Sequence, residues 1–432
     1  MKPEKINVVT LGCAKNIVDS EILLKQLELQ GYIVMHGSIE YQTDTVIINT
    51  CGFINDAKEE SINAILKFAE AKSKGLIKKL IVIGCLSQKY MSELQKEIPE
   101  VDFYSGVNSY KKVLRYLGHN PVIKHLNDRI ITGQGHYAYL KISEGCNRSC
   151  AFCTIPLIRG KHNSRPLGNI LDETSLLAAK GVKELILIAQ DLNYYGLDLY
   201  KKRMLPHLIK KIISKNEFEW IRLQYLYPSG LPESLLEIIK SNSKICKYID
   251  IPIQHISNKI LRLMKRNYSR YFVENLLWHI REKIPDVAIR TTLIVGHPGE
   301  TKKEYEELKK FIIDFQFNRL GVFKYSHEDG TYSFNNYRDE VPGKTKEERA
   351  AELMEIQQDI SLKQNYLKLN QVVKVLVDGV EGEYFTGRTE FDSPEVDHEV
   401  LVKKKYNLIP GSFYNVRITD ATEFDLYGVP VS

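Results

Sequence analysis

Cys146, Cys150 and Cys153 stand in the run Gly145-Cys146-Asn147-Arg148-Ser149-Cys150-Ala151-Phe152-Cys153, a C-x3-C-x2-C spacing with an aromatic residue before the last cysteine. Three thiolates this close in sequence can hold three irons of a four-iron cluster. No fourth cysteine is nearby, so one iron is left open to a substrate or cofactor. Other readings suit the pattern less well. A structural zinc site takes four ligands, usually as two pairs, and His162 has no second histidine at finger spacing. A ferredoxin-type electron carrier supplies four cysteines per cluster. A disulfide scaffold belongs to short secreted chains, and this one has 432 residues.

Three more cysteines follow apolar runs. Cys13 comes after residues 6–11 and Gly12, Cys51 after residues 45–49 and Thr50, and Cys85 after residues 80–83 and Gly84. These Val- and Ile-rich runs alternate with helical stretches at 18–30 and 57–71, the pattern of buried parallel strands and crossover helices in a doubly wound sheet. The carboxyl ends of such strands share one edge, where ligands bind. Thiols far apart in sequence should therefore meet there. A buried cysteine is often only a core residue. That explanation suits Cys246, in Lys244-Ile245-Cys246-Lys247, better than three thiols each just past a strand end. Cys13, Cys51 and Cys85 read as a second three-cysteine cluster site.

The elements that must position these residues fall into segments. Residues 1–130 form the α/β domain just described. Residues 135–330 carry strand candidates at 138–142, 184–189, 221–225, 248–251, 288–295 and 320–325, with helices between them, including 231–241 and 302–314. About six β/α units predict a partial barrel, with chemistry at the carboxyl ends of the strands. The trio at Cys146, Cys150 and Cys153 follows the first of these strands. Gln190-Asp191, Gln254-His255 and Gly296-His297-Pro298-Gly299-Glu300 follow others. The last set reads equally as a ligand contact or as a tight turn with Glu300 completing a helix cap. Residues 331–369 are a linker with a long helix at 345–368, on which Leu353, Ile356, Ile360 and Leu367 share a face. Residues 370–432 show short strands and Gly turns, a small antiparallel β-barrel.

That barrel carries six basic and eleven acidic residues, a net charge of −5, whereas the whole chain is +6. Phosphate contacts dominate RNA affinity, so this barrel should repel RNA and attract a basic protein. No apolar run approaches the roughly 20 residues of a membrane span. The amino-terminal run has no secretory h-region, which predicts a cytoplasmic protein with reduced cysteines.

The cysteine trio and its flanks, from Ser143-Glu144-Gly145 to Cys153, resemble the radical S-adenosylmethionine enzymes. Leu11-Gly12-Cys13-Ala14-Lys15-Asn16, Asn49-Thr50-Cys51-Gly52-Phe53 and Ile83-Gly84-Cys85 resemble the amino-terminal domain of the methylthiotransferases, and the terminal barrel resembles their TRAM domain. Ala14 stands where that family commonly has Pro. One branch of the family methylthiolates adenosine in transfer RNA; the other modifies an aspartate of ribosomal protein uS12. The chain is similar to the second branch at residues 16–21, 225–228, 254–257, 325–331 and 387–397.

The resemblance implies two 4Fe-4S clusters, one on each trio, and S-adenosylmethionine chelating the open iron beside Cys146, Cys150 and Cys153. Reductive cleavage would give a 5′-deoxyadenosyl radical that abstracts hydrogen from the aspartate β-carbon. The amino-terminal cluster would supply sulfur, which a second S-adenosylmethionine methylates. Phe152 is expected near the adenine. Gln190 and Arg290 are further candidates for cofactor contact, Arg290 equally for a structural ion pair. An electron donor is implied, and uS12, a basic protein, is met free or on the ribosome. Two other functions stay open: a tRNA methylthiotransferase and a non-catalytic iron–sulfur carrier.

Overall fold

The computed structural model describes residues 3–38, 43–215 and 218–431. Met1, Lys2 and Ser432, which the sequence segments include, lie outside the described residues. The chain divides into two compact units. One comprises residues 1–133, 139–147 and 154–177; the other comprises 134–138, 148–153 and 178–432.

The first unit holds strands β1 (Lys5–Thr10), β2 (Ile33–His36), β3 (Thr45–Thr50), β4 (Lys79–Gly84) and β5 (Phe103–Tyr104), with helices α1 (Ala14–Glu28), α2 (Asn55–Ser73), α3 (Cys85–Glu97) and α4 (Tyr110–Tyr116). The strands are parallel in the order β2-β1-β3-β4-β5. Side chains alternate across a strand, so neighbouring residues feed opposite faces. Ile47 and Ile81 pack with Leu23, Leu24 and Leu27 of α1, while Val46, Ile48 and Val82 pack with Ile65, Phe68 and Leu94 of α2 and α3. The doubly wound sheet expected from the sequence is present. Its short strands β2 and β5 carried too little pattern to be expected.

After β6 (Tyr137–Lys141) come the two-residue strands β7 (Ser143–Glu144) and β8 (Asn163–Ser164), with helix α5 (Ile155–Arg159) between them and α6 (Leu167–Ala179) after them. The second unit continues with β9 (Glu184–Ile188), α7 (Leu205–Lys215), β10 (Trp220–Leu223), α8 (Glu233–Ser241), β11 (Tyr248–Asp250), α9 (Asn258–Leu263), α10 (Arg270–Lys283), β12 (Ala288–Val295), α11 (Lys302–Phe315) and β13 (Arg319–Lys324). Strands β10-β9-β6 form one sheet and β11-β12-β13 another, and a parallel bridge from Ile221 to Ile245 joins β10 to the segment entering β11. These are the six expected strands, and the pairs β9–β10, β11–β12 and β12–β13 are parallel.

Two local expectations change. Helix α11 is capped by Thr301 and Glu304 as a reciprocal capping box. Glu300 instead accepts from the Gly296 N–H at 3.0 Å and pairs with Arg349 at 2.6 Å. In the long helix α13 (Gly343–Tyr366), which follows the short α12 (Tyr332–Asn336), Leu353 and Ile360 are buried, but Leu367, just past its end, is 76% exposed. Gln357 and Asn365 occupy the docked face, because Gln357 donates to the Phe317 carbonyl (2.9 Å) and Asn365 to the Thr422 carbonyl (2.8 Å).

Strands β14 (Val372–Glu381), β15 (Tyr384–Arg388), β16 (Glu399–Lys403), β17 (Phe413–Ala421) and β18 (Asp425–Val431) close a barrel in the order β14-β15-β16-β18-β17. It docks on the amino-terminal ends of the parallel strands through buried charge. Glu184 opens β9 and accepts from Arg222 (2.6 Å) and Arg388 (2.8 Å). Asp378 accepts from Arg388 and meets His136 at 2.7 Å; Arg319 Nε donates to Asp392 at 3.0 Å; and the Tyr248 hydroxyl donates to Asp397 at 2.7 Å.

Candidate cysteine centres

Cys13, Cys51 and Cys85 sit where the strand order predicts a site. The order reverses between β1 and β3, which opens a crevice at their carboxyl ends. Cys13 caps α1 after β1, Cys51 follows β3, and Cys85 is the first residue of α3 after β4. Glycines permit the close approach. A Cβ on Gly12 would stand 2.8 Å from Cys51 Sγ, and one on Gly84, at φ +103°, would stand 2.5 Å from the Thr50 carbonyl oxygen.

Asn16, fully buried, holds the three cysteine segments in register. Its Nδ2 donates to the carbonyls of Leu11 (2.8 Å) and Thr50 (3.1 Å), and its Oδ1 lies 3.9 Å from Cys85 Sγ. Arg159 Nη2 donates to the same Oδ1 at 2.6 Å and to Cys85 Sγ at 3.4 Å.

The thiols differ electrically. Burial pushes Cys85 up to about 11 and also raises Cys51, each further raised by its neighbouring thiols and moderated by Arg159. Cys13 is exposed, and although the surrounding protein partly desolvates its thiol, Lys15, Arg159 and backbone N–H groups of Asn16 and Lys15 outweigh that and leave it below its ordinary value. The influence of Cys13 on Cys51 and of both on Cys85, with backbone donors on Cys13 and Cys51, fits a thiolate-ligated cluster, whose sulfurs commonly accept N–H bonds. Among the described residues no three His, Cys, Asp or Glu side chains are arranged to hold one metal ion. A cluster puts its cysteines on separate irons, so its thiols need only line a common space.

The second trio lies on the loop between β7 and α5. In the first unit, the Cys146 N–H donates to the Gly160 carbonyl at 3.1 Å. In the second, the Ala151 N–H donates to Met264 O (2.9 Å), its carbonyl accepts from Ser333 (2.7 Å), and the Cys153 N–H reaches Cys150 O (3.2 Å). Phe152 is half-buried on this loop, and Gln190 is half-buried just beyond β9, next to Asp191. Asp191 pairs with Arg148 at 2.8 Å.

Arg290 lies elsewhere, third in β12. Its guanidinium pairs with Asp250 (3.5 Å) and Asp397 (3.3 Å), at a cavity of about 210 Å³ shared with Arg319 and His398. These ion pairs lie at the barrel's docked end. Cys246 is buried among Trp220, Tyr248 and Leu376, a core thiol as expected.

Sequence reasoning did not single out Arg159 or Arg266. Arg266 places Nη1 3.2 Å from Cys150 Sγ. Tyr227 lies against two guanidiniums, 3.8 Å from Arg148 and 4.3 Å from Arg266 to the ring centroid. Arg266 and Cys150 are 116 positions apart, so no local spacing pointed to their contact.

The acidic excess of the terminal barrel is also placed. Asp378, Glu390, Asp392, Glu395 and Asp397 contact groups of the parallel-strand region or of the barrel's own docking face. Four of these, Asp378, Glu390, Asp392 and Asp397, are buried or half-buried, whereas Glu395 stays exposed.

Three family models match the chain: an uncharacterized protein family, UPF0004, over residues 5–106; the radical SAM superfamily over 140–312; and the TRAM domain over 371–431. Proteins named ribosomal protein uS12 methylthiotransferase RimO are similar along the full length. The one from Bacteroides thetaiotaomicron is 50% identical over 99% of this chain and 98% of its own. The one from Flavobacterium johnsoniae is 50% identical over 100% and 99%. Among solved structures, the radical S-adenosylmethionine methyltransferase TsrM from Kitasatospora setae, with cobalamin and a [4Fe-4S] cluster bound, has a TM-score of 0.52 at 13% identity, covering 74% of this chain and 75% of its own. The cobalamin-dependent S-adenosylmethionine radical enzyme OxsB also has a TM-score of 0.52 at 13% identity, over 84% of this chain and 62% of its own. These two likenesses show the fold alone.

Proposed function

The chain belongs to the RimO family of ribosomal protein uS12 methylthiotransferases, and from that premise we propose that it adds a methylthio group to the β-carbon of an aspartate in uS12. It is a radical S-adenosylmethionine methylthiotransferase. The proposal includes two four-iron clusters, one on Cys13, Cys51 and Cys85 and one on Cys146, Cys150 and Cys153. The observation that carries it is the gathering of Cys13, Cys51 and Cys85 at one sheet edge, in a chain that also has a C-x3-C-x2-C loop. A lone radical-generating cluster would need no such second set.

When bound, S-adenosylmethionine and the loop cluster supply a hydrogen-abstracting radical, and the amino-terminal cluster supplies sulfur. The chain's own residues position these groups. Asn16 and Arg159 fix the amino-terminal thiols, and Arg266 donates to Cys150. The Met264 carbonyl and the Ser333 N–H pin the loop on both sides of Ala151. Burial of Cys51 and Cys85 keeps water from two of the three sulfurs. Phe152 and Gln190 remain the candidate cofactor contacts.

The substrate assignment rests on the family, not on barrel charge, since much of that charge is internal. Among the described residues no helix is long and apolar enough to cross a membrane. The proposed setting is the cytoplasm, on free or ribosome-bound uS12, with an electron donor.

The test is the mass of the uS12 peptide from a deletion strain with and without this chain. A gain of one methylthio group that depends on all six cysteines is expected. An unmodified peptide alongside restored tRNA methylthiolation would overturn the substrate assignment.

A further inference from the structure

Arg159 ends α5, six residues after Cys153, and its side chain is 1% exposed. A buried guanidinium is costly unless its donors are matched. Here Nη2 serves Asn16 Oδ1 (2.6 Å) and Cys85 Sγ (3.4 Å), while Nη1 serves Glu144 (2.8 Å) and Asp19 (3.5 Å). Lys141 shares both carboxylates, at 2.7 Å from Glu144 and in close contact with Asp19. Two cations thus balance two carboxylates, and one face of Arg159 is turned to a cysteine sulfur. Glu144 lies two residues before Cys146, and Asp19 lies on the helix that Cys13 caps.

We propose that Arg159 is a positioning residue of the amino-terminal cysteine site: it fixes Cys85 and Asn16, holds a permanent positive charge against the cluster bound there, and ties that site through Glu144 to the segment entering Cys146. The proposal rests on the two-cluster reading above. A purely structural ion pair needs no donor on a cysteine sulfur. A residue serving the cluster needs both the sulfur contact and a rigid carboxylate anchor. Lysine cannot replace it fully, because one ammonium lacks the planar fork that reaches both sides at once.

The test uses the full chain with Cys146, Cys150 and Cys153 changed to Ala, so that iron can load only at the amino-terminal site. Iron per chain and the cluster's midpoint potential, followed by EPR, are compared for Arg159, Arg159→Lys and Arg159→Gln after anaerobic reconstitution. Arg159→Gln should load less iron and shift the potential to more negative values, because a charge that favours the reduced cluster is gone. Arg159→Lys should recover most of the potential but less of the loading. Glu144→Gln, which leaves the guanidinium in place and removes its counter-charge, should shift the potential in the opposite direction. It also keeps the test decisive if Arg159→Gln does not fold. Equal potentials in all variants would overturn the proposal. A parent with Arg159 intact that takes up no iron would overturn the two-cluster reading, and the proposal with it.

Discussion

Arg266 Nη1 stands 3.2 Å from the sulfur of Cys150, while its other donors reach the Pro252 carbonyl at 2.6 Å and the Tyr268 hydroxyl at 2.5 Å. All three acceptors are a sulfur or an uncharged oxygen. The guanidinium charge is therefore directed at the thiolate, unlike that of Arg159, which also faces carboxylates. A charged donor strengthens a hydrogen bond, and residues that orient metal ligands tune the metal they hold.

Arg266→Gln should lower methylthiolation, or iron affinity at the loop trio, by about 10- to 100-fold, the usual effect of losing a group that orients a ligand. Iron per chain, in a protein with Cys13, Cys51 and Cys85 changed to Ala, separates this effect from the other site. Unchanged loading and unchanged rate would refute the assignment.

Gly84→Ala tests the geometry of the amino-terminal site. The position has φ +103°, and an added Cβ would meet the Thr50 carbonyl oxygen at 2.5 Å. Strain of about 1–3 kcal/mol is expected, together with a loss of iron at Cys13, Cys51 and Cys85 that exceeds any loss at the loop trio. Chemical denaturation and iron analysis of the two single-site backgrounds measure both.

The docking charges predict an acid-sensitive second unit. Burial alone would raise its carboxyls, but Arg222 and Arg388 hold Glu184 below the ordinary range, His136 and Arg388 hold Asp378 below it, and Arg319 does so for Asp392. A depressed carboxyl contributes stability that is fully present above its unfolded value, about pH 4, and is lost as pH falls through the folded value. Thermal melts should therefore decline gently below about pH 6.5, where the unfolded chain protonates His297 and His398 while burial keeps both neutral in the folded chain, and should drop steeply below about 4. Asp392→Asn should cost about 3–5 kcal/mol by stranding buried Arg319, whereas exposed Asp420→Asn should stay within about 0.5 kcal/mol.

Cys246→Ala should leave iron content and activity unchanged. Burial pushes this thiol well above its ordinary value, and it packs within a core cluster. A stability loss of about 0.5–3 kcal/mol is expected from the vacated volume. Reduced iron loading in the folded protein would contradict its role as a core thiol.

Much of the site was legible because its signals are local. The spacing of Cys146, Cys150 and Cys153 is set along eight consecutive residues. Val- and Ile-rich runs placed Cys13, Cys51 and Cys85 at strand ends. Asn16 appeared only within a run similar to the family, because its contacts to Leu11, Thr50 and Cys85 come from three strand ends. Arg290 read equally as a cofactor contact and as an ion-pair partner. Its third place in β12 puts it at the docked end, where Asp250 and Asp397 take up its charge. Composition counts the barrel's charges but does not record which of them, such as Asp378 and Asp392, are already paired.

Sequence alone determined the chemistry the chain can hold: two cysteine trios, parallel β/α elements to carry them, and a terminal β-barrel. These follow from spacing and periodicity, which are properties of neighbours. Tertiary structure decided which residues meet across long separations. It set Arg159 on Cys85, Arg266 on Cys150 and the barrel acids on buried arginines. The physical reason is that a buried charge must find its counterpart wherever the fold brings one, and that distance is not written in the spacing of the chain.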